Sequence, residues 1–90
     1  MELGLTGQVV IITGGAGGFG RAIAEEYSKE GVNTVIADIA LEAATELAEQ
    51  LRRTYDIQSV AVRTDVTDKT SVEQMAQKAI EQFGRIDILV

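Results

Sequence analysis

Apolar and polar positions along this chain repeat with two different periods, and the changes between them set out the elements. Val9-Val-Ile-Ile12 is an unbroken β-branched run, which suits a strand covered on both faces, as in a parallel sheet. From about Phe19 to Glu30 the period lengthens. Phe19, Ile23 and Tyr27 recur every fourth position with Ala22 and Ala24 beside them, predicting a helix with that face toward the core. Gly31 stands where a helix C-terminal glycine belongs. Asn33-Thr-Val-Ile-Ala-Asp38 predicts a second strand. Ala40 to about Tyr55 predicts a second helix, with Leu41, Ala44, Leu47, Ala48 and Leu51 on its apolar face. Ser59-Val-Ala-Val-Arg63 predicts a third strand. Thr67 or Asp68 caps a third helix, whose apolar face is Val72, Met75, Ala76, Ala79, Ile80 and Phe83, and Gly84 ends it. Ile86-Asp-Ile-Leu-Val90 predicts a fourth strand, and Met1 to Gly7 reads as a short lead-in closed by a Thr6-Gly7 turn.

Strand and helix thus alternate as β-α-β-α-β-α-β with short connections. This is the pattern of an α/β fold: a parallel sheet packed with helices in three layers. If the strand order is 3-2-1-4, the first two helices cover one face and the third crosses to the other. The topological switch then falls between the first and fourth strands, where ligands bind in such sheets. Residues 1–90 make one small domain with a limited core.

Composition removes several functions. The net charge of −6 argues against nucleic acid or an anionic membrane surface as the main partner. No cysteine is present, so there is no disulfide, thiolate nucleophile or cysteine metal site. No histidine is present, which removes the commonest general base and metal ligand. No apolar run approaches the ~20 residues of a membrane span. The first residues lack the basic region and long apolar run of a signal peptide, so a cytoplasmic location is the default expectation.

Between the first strand and first helix lies Thr13-Gly-Gly-Ala-Gly-Gly-Phe-Gly20, with five glycines from Gly14 to Gly20. The stretch Gly15-Ala-Gly17-Gly-Phe-Gly20 fits G-x-G-x-x-G, while Thr13, Gly14, Gly18 and Gly20 fit T-G-x-x-x-G-x-G. Glycine clusters also make plain turns. Here, however, the cluster joins a buried strand to an amphipathic helix, where a diphosphate can approach bare backbone N–H groups at a helix N-terminus. Asp38 ends the second strand eighteen residues after Gly20, the place of a carboxylate that accepts hydrogen bonds from adenosine ribose hydroxyls. It could equally cap the next helix. A 2′-phosphate ~5 Å from this carboxylate would meet roughly 3 kcal/mol of repulsion at an effective dielectric of ~20. Gly15 and Ile39 at the neighbouring positions offer no cation against it, so NAD is expected over NADP. Asp65 follows the third strand and reads either as a turn aspartate or as an acceptor for the adenine amino group, with Val66 packing on the ring.

With these residues in place, the chain resembles the N-terminal part of a short-chain dehydrogenase/reductase. The matching stretches are Thr13 to Gly20, Asp38, Asp65-Val66, and Phe83-Gly-Arg-Ile-Asp-Ile-Leu-Val90. The resemblance implies a Rossmann-type fold. It implies that Gly14, Gly18 and Gly20 line the pyrophosphate, with Thr13, Gly15, Gly17 and Phe19 in the same loop. It also implies that Ile39 flanks the adenine ribose, and that Asp65 and Val66 hold the adenine. The family's Asn-Asn-Ala-Gly, its catalytic Ser and its Tyr-x-x-x-Lys have no counterpart within these residues. No catalytic or metal-binding residue is therefore expected, and the sequence reads as a truncated chain.

The expected function is NAD(H) binding by a portion of an alcohol/ketone oxidoreductase, inactive in hydride transfer by itself. Two alternatives stand beside it: a cofactor-free structural or self-assembling module, and an adenine-nucleotide binder. A homodimer through the edge of the fourth strand is expected, because Asp87 is the only charge within Ile86–Val90. The face carrying only the third helix is expected to expose apolar surface.

Overall fold

The computed structural model describes residues 6–90. Its elements are β1 (Val9–Thr13), α1 (Gly18–Lys29), β2 (Asn33–Asp38), α2 (Leu41–Thr54), β3 (Ser59–Arg63), α3 (Lys69–Phe83) and β4 (Ile88–Leu89). The four strands form one parallel sheet in the order β3-β2-β1-β4, as the alternation predicts. Of the lead-in, Thr6 and Gly7 form the expected turn, and the residues before them lie outside the described ones.

The β-branched run of β1 is buried on both sides because successive side chains point to opposite faces. Val10 and Ile12 join Ile36 under α1 and α2, where Ala24, Ala44, Leu47, Ala48 and Leu51 close the larger core. Val9 and Ile11 join Val35 and Ala37 on the other face, under Met75 and Ala79 of α3. Register is pinned from Val9 opposite Asn33 to Thr13 opposite Ala37, and from Thr34 opposite Ser59 to Asp38 opposite Arg63. The Thr34 and Ser59 hydroxyls share a buried 2.6 Å hydrogen bond across β2 and β3, so two polar side chains enter the core satisfied.

Two expectations need correction. The buried stripe of α1 is Gly20, Ala24 and Ser28, while Ile23 and Tyr27 are half-buried and Phe19 is 84% exposed. Small residues one turn apart let the helix axis approach the sheet, and the larger side chains are displaced to its flank. Ser28 serves this approach by size alone, since its buried hydroxyl has no hydrogen-bond partner. The α3 face does expose apolar surface, as expected, but at its rim: Val9, Ile11, Val35 and Ala37 are at most 2% exposed, whereas Ile80 of α3 and Leu89, in register with Ile11 and so on the same face, are 46% and 68% exposed. Second, β4 is two residues long rather than five. Asp87 answers Val9 with its side chain as well as its backbone: Val9 N–H donates to Asp87 Oδ2 at 2.8 Å, and Asp87 N–H donates to the Val9 carbonyl at 2.9 Å. Regular pairing therefore starts only after Asp87, although Val90 still donates to Ile11 and accepts from Thr13.

The helix ends follow their chemistry. Asp68 caps α3 by accepting from Thr70 N–H at 3.0 Å, and Gly84 ends it in the left-handed region at φ 78°. Gly31, at φ 80°, closes α1 with its N–H on the Ser28 carbonyl.

Candidate functional site

The carboxyl ends of β1, β2 and β3 bring the predicted residues together. Gly14 leaves β1 at φ 65°, a conformation that L side chains rarely adopt. Its N–H still pairs with the Ala37 carbonyl at 2.8 Å, so the chain turns away only after the last sheet hydrogen bond. The Gly14 carbonyl then accepts from Gly17 N–H at 3.2 Å, closing a tight turn. Gly20 comes back under this turn. A Cβ there would lie 2.6 Å from the Gly14 oxygen and 2.7 Å from the Gly15 Cα. Gly15 is buried, its pro-Cβ position 3.0 Å from both the Ile12 carbonyl and Ile36 Cγ2.

The turn delivers the chain into α1 with nothing placed on the helix end. Gly17 is the N-cap, no side chain caps it, and no acidic residue occupies the first turn. Among the described residues no acceptor reaches the N–H groups of Gly18, Phe19 or Gly20. Gly18 and Phe19 are exposed and Gly20 is buried behind them; their unpaired N–H groups and the positive end of the helix dipole gather at the start of α1, and beyond its own helix and chain neighbours a would-be Cβ at Gly18 meets nothing within 4 Å. An anion with several acceptor oxygens satisfies such a site.

Asp38, at the end of β2, links this turn to the next helix. Its Oδ2 accepts from Ala16 N–H at 3.1 Å and its Oδ1 from Ala40 N–H at 2.9 Å. Asp38 does not cap α2, contrary to the expectation: the N-cap is Ala40, no side chain caps the helix, and the Asp38–Ala40 bond closes a turn two residues long before it. That turn role and a ligand role are compatible. An ionised carboxylate offers about four acceptor positions, and two remain free for a vicinal diol. Beyond Asp38 lies a cleft of about 320 Å³ lined by Gly14, Asp38, Ile39, Thr64, Asp65 and Val66. Ile39 and Val66, 52% and 61% exposed, are the two apolar side chains of its lining. Asp65 Oδ1 accepts from the Thr67 hydroxyl at 2.6 Å and from Thr67 N–H at 2.9 Å. These bonds hold the carboxyl below its ordinary pKa, with a smaller contribution from Arg63. The turn role is thus filled by one oxygen, and Oδ2 keeps its acceptor capacity.

Thr13 is placed differently from its neighbours. Its hydroxyl donates to the Val90 carbonyl at 2.8 Å, tying β1 to the end of β4. Phe19 projects from the flank of α1 into a separate apolar groove of about 370 Å³ with Ala22, Ile23, Glu26, Tyr27 and Glu30. That groove is the larger concavity, but it lacks the convergent donors and acceptors of the cleft at the strand ends. The position of Arg63 is not readable from the neighbours of Asp38 in sequence. It lies directly opposite Asp38 in the β2–β3 register, so a cationic side chain is rooted on the strand beside this carboxylate. The signal available was strand pairing: two strands of known register would have matched the last residue of each. Among the described residues no cluster of metal-ligating side chains occurs, and no helix is long and apolar enough to cross a membrane.

The sequence model of the short chain dehydrogenase family matches residues 8–90. A sorbitol dehydrogenase of Cereibacter sphaeroides is 42% identical over 86 residues, covering 96% of this chain and 32% of that protein. A short chain dehydrogenase/reductase from Burkholderia phymatum, solved in complex with NAD, superposes with a TM-score of 0.89 at 36% identity over 94% of this chain and 30% of that one. L-Sorbose reductase from Gluconobacter frateurii, complexed with NADPH and L-sorbose, superposes with a TM-score of 0.93 at 32% identity over 99% of this chain and 34% of that one. The chain spans about a third of the length of the curated relatives it matches.

Proposed function

Because this chain belongs to the short-chain dehydrogenase family, we propose that it is the adenosine- and pyrophosphate-binding portion of a nicotinamide-dependent oxidoreductase acting on an alcohol or ketone. The observation that carries this reading is the uncapped start of α1, with three unpaired N–H groups beside a carboxylate that keeps free acceptor positions. The free N–H groups of Gly18, Phe19 and Gly20 hold the pyrophosphate. Asp38 accepts from the adenosine ribose hydroxyls. Ile39 and Val66 enclose the adenine, and Asp65 Oδ2 accepts from its amino group. A bound nicotinamide dinucleotide supplies the hydride of the family's chemistry. These residues bind and orient it, and none of them is placed to exchange a proton with a substrate.

The site prefers NADH to NADPH, since Asp38 repels a 2′-phosphate more than it repels a hydroxyl. Affinity is weak, because only the adenosine half of a pocket is built from these residues. The chain pairs with a second copy along the free edge of β4, where Leu89 is 68% exposed and a two-fold contact would continue the sheet. Calorimetric titration with NADH, NADPH and ADP tests the binding. NADH is expected to bind more tightly than NADPH, and Asp38→Ala to weaken NADH while narrowing the gap. Tighter NADPH binding by the unsubstituted chain refutes the preference, and no binding of any of the three refutes the nucleotide reading.

A further inference from the structure

Two facts about β3 bear on which nucleotide the cleft accepts. Arg63 ends the strand in direct register with Asp38. In-register residues of parallel strands project from the same face, about 4.8 Å apart. The pairs before it in this register confirm the geometry: Thr34 and Ser59 join hydroxyls, and Ile36 and Ala61 pack into the same core. Arg63 therefore leaves the sheet on the side of α1 and α2, as Asp38 does. Asp65, two residues further on, lies close enough to feel its charge. The guanidinium is exposed, and among the described residues no hydrogen bond or ion pair engages it. A cation with five donors, without a protein partner among the described residues, is thus rooted on the strand next to Asp38 and two residues before Asp65.

We propose that Arg63 is a specificity-determining residue that admits a 2′-phosphate to the ribose site in spite of Asp38. This rests on the nucleotide reading and deepens it. The phosphomonoester would sit beside the Asp38 carboxylate, within reach of a side chain rooted on the adjacent strand. Arginine pairs with phosphate through two parallel N–H···O bonds, which lysine cannot reproduce. An unphosphorylated ribose offers that fork nothing comparable. Arg63 thus acts on the phosphorylated ligand alone, and the chain discriminates against NADPH less than Asp38 alone would dictate.

The test compares 2′,5′-ADP with 5′-AMP on the unsubstituted chain, Arg63→Ala and Arg63→Lys by calorimetry at low and physiological salt. Arg63→Ala is expected to weaken 2′,5′-ADP at least tenfold and to change 5′-AMP less than twofold. Arg63→Lys should recover only part of the loss, and the alanine effect should shrink as salt rises. Arg63 is exposed at a strand end, so thermal melts of all three chains should coincide. Equal losses for both ligands would mean that the guanidinium stacks on the adenine, and would overturn the proposal. So would 2′,5′-ADP affinity unchanged by Arg63→Ala. Failure of the unsubstituted chain to bind 5′-AMP would instead remove the nucleotide reading itself, and this proposal with it.

Discussion

Gly18 and Gly20 lie two residues apart in the same turn, yet the structure gives them opposite duties, and single methyl groups separate these. A Cβ at Gly20 meets the Gly14 oxygen at 2.6 Å, the Gly15 Cα at 2.7 Å and the Gly14 carbonyl carbon at 3.1 Å. All three are backbone atoms, so no side-chain rotation relieves the clash, and α1 must withdraw from the turn. Overpacking of this kind costs about 1–3 kcal/mol. The better helix propensity of alanine returns at most about 1 kcal/mol. A net loss of about 1–2 kcal/mol lowers Tm by roughly 4–16 °C for a domain of this size. At Gly18 a Cβ meets nothing within 4 Å, and the backbone lies outside the left-handed region. Gly18→Ala should therefore melt at or slightly above the unsubstituted chain. Its methyl group, however, occupies the space above the free N–H groups, and NADH affinity should fall more than tenfold. Circular-dichroism melts and calorimetry on the two variants read both effects. A Gly20→Ala chain that melts normally would refute the packing argument, and a Gly18→Ala chain that binds NADH undiminished would refute the assignment of that space to the pyrophosphate.

Three further outcomes are expected. The chain alone shows no dehydrogenase turnover with a panel of ketones and NADH, since its tyrosines, Tyr27 and Tyr55, lack the family's lysine spacing; ketone-dependent NADH oxidation lost on Gly18→Val would contradict this. Arg85 pairs with both carboxylate oxygens of Asp87 and, with Val9 N–H, holds that carboxyl below its ordinary pKa. A depressed folded pKa contributes stability that is complete above the unfolded value near 3.9 and is lost as pH falls toward the folded one. Melts in that acid range should therefore drop less steeply for Asp87→Asn, which starts lower at neutral pH; parallel curves would show that the pair contributes nothing. Light scattering across concentration should find a dimer that Leu89→Lys converts to monomer, and a monomer throughout would remove the edge contact.

What the sequence made legible was whatever depends on neighbours along the chain. The β-branched run gave β1, the 3.6-residue period gave α2 with Ala44, Leu47, Ala48 and Leu51 buried as read, though Leu41 in its first turn is 42% exposed, and Gly84 terminated α3 with the positive φ expected of it. The grouping of Gly14 to Gly20 with Asp38 and Asp65 at one end of the sheet followed from the strand order. What escaped depends on contacts between distant segments. Phe19 shares its period with Ile23 and Tyr27, but the close approach of Gly20, Ala24 and Ser28 to the sheet turns it outward. Arg63 stands twenty-five residues beyond Asp38, and only the β2–β3 register makes them neighbours. The Thr13 hydroxyl reads as part of the glycine motif until the Val90 carbonyl is found beside it.

The two hydrogen bonds of Asp38 bear on how a protein of this design could change its cofactor. Ala16 and Ala40 both hang on that one carboxylate, so the glycine turn and the start of α2 share an anchor with the proposed ribose site. Exchanging Asp38 for a neutral or basic side chain would alter preference and loosen two loops in the same step. A lineage, or an engineer, moving between cofactor pools would meet that penalty at once. Asparagine retains one carbonyl oxygen and therefore one of the two anchors, which makes it the gentlest first move.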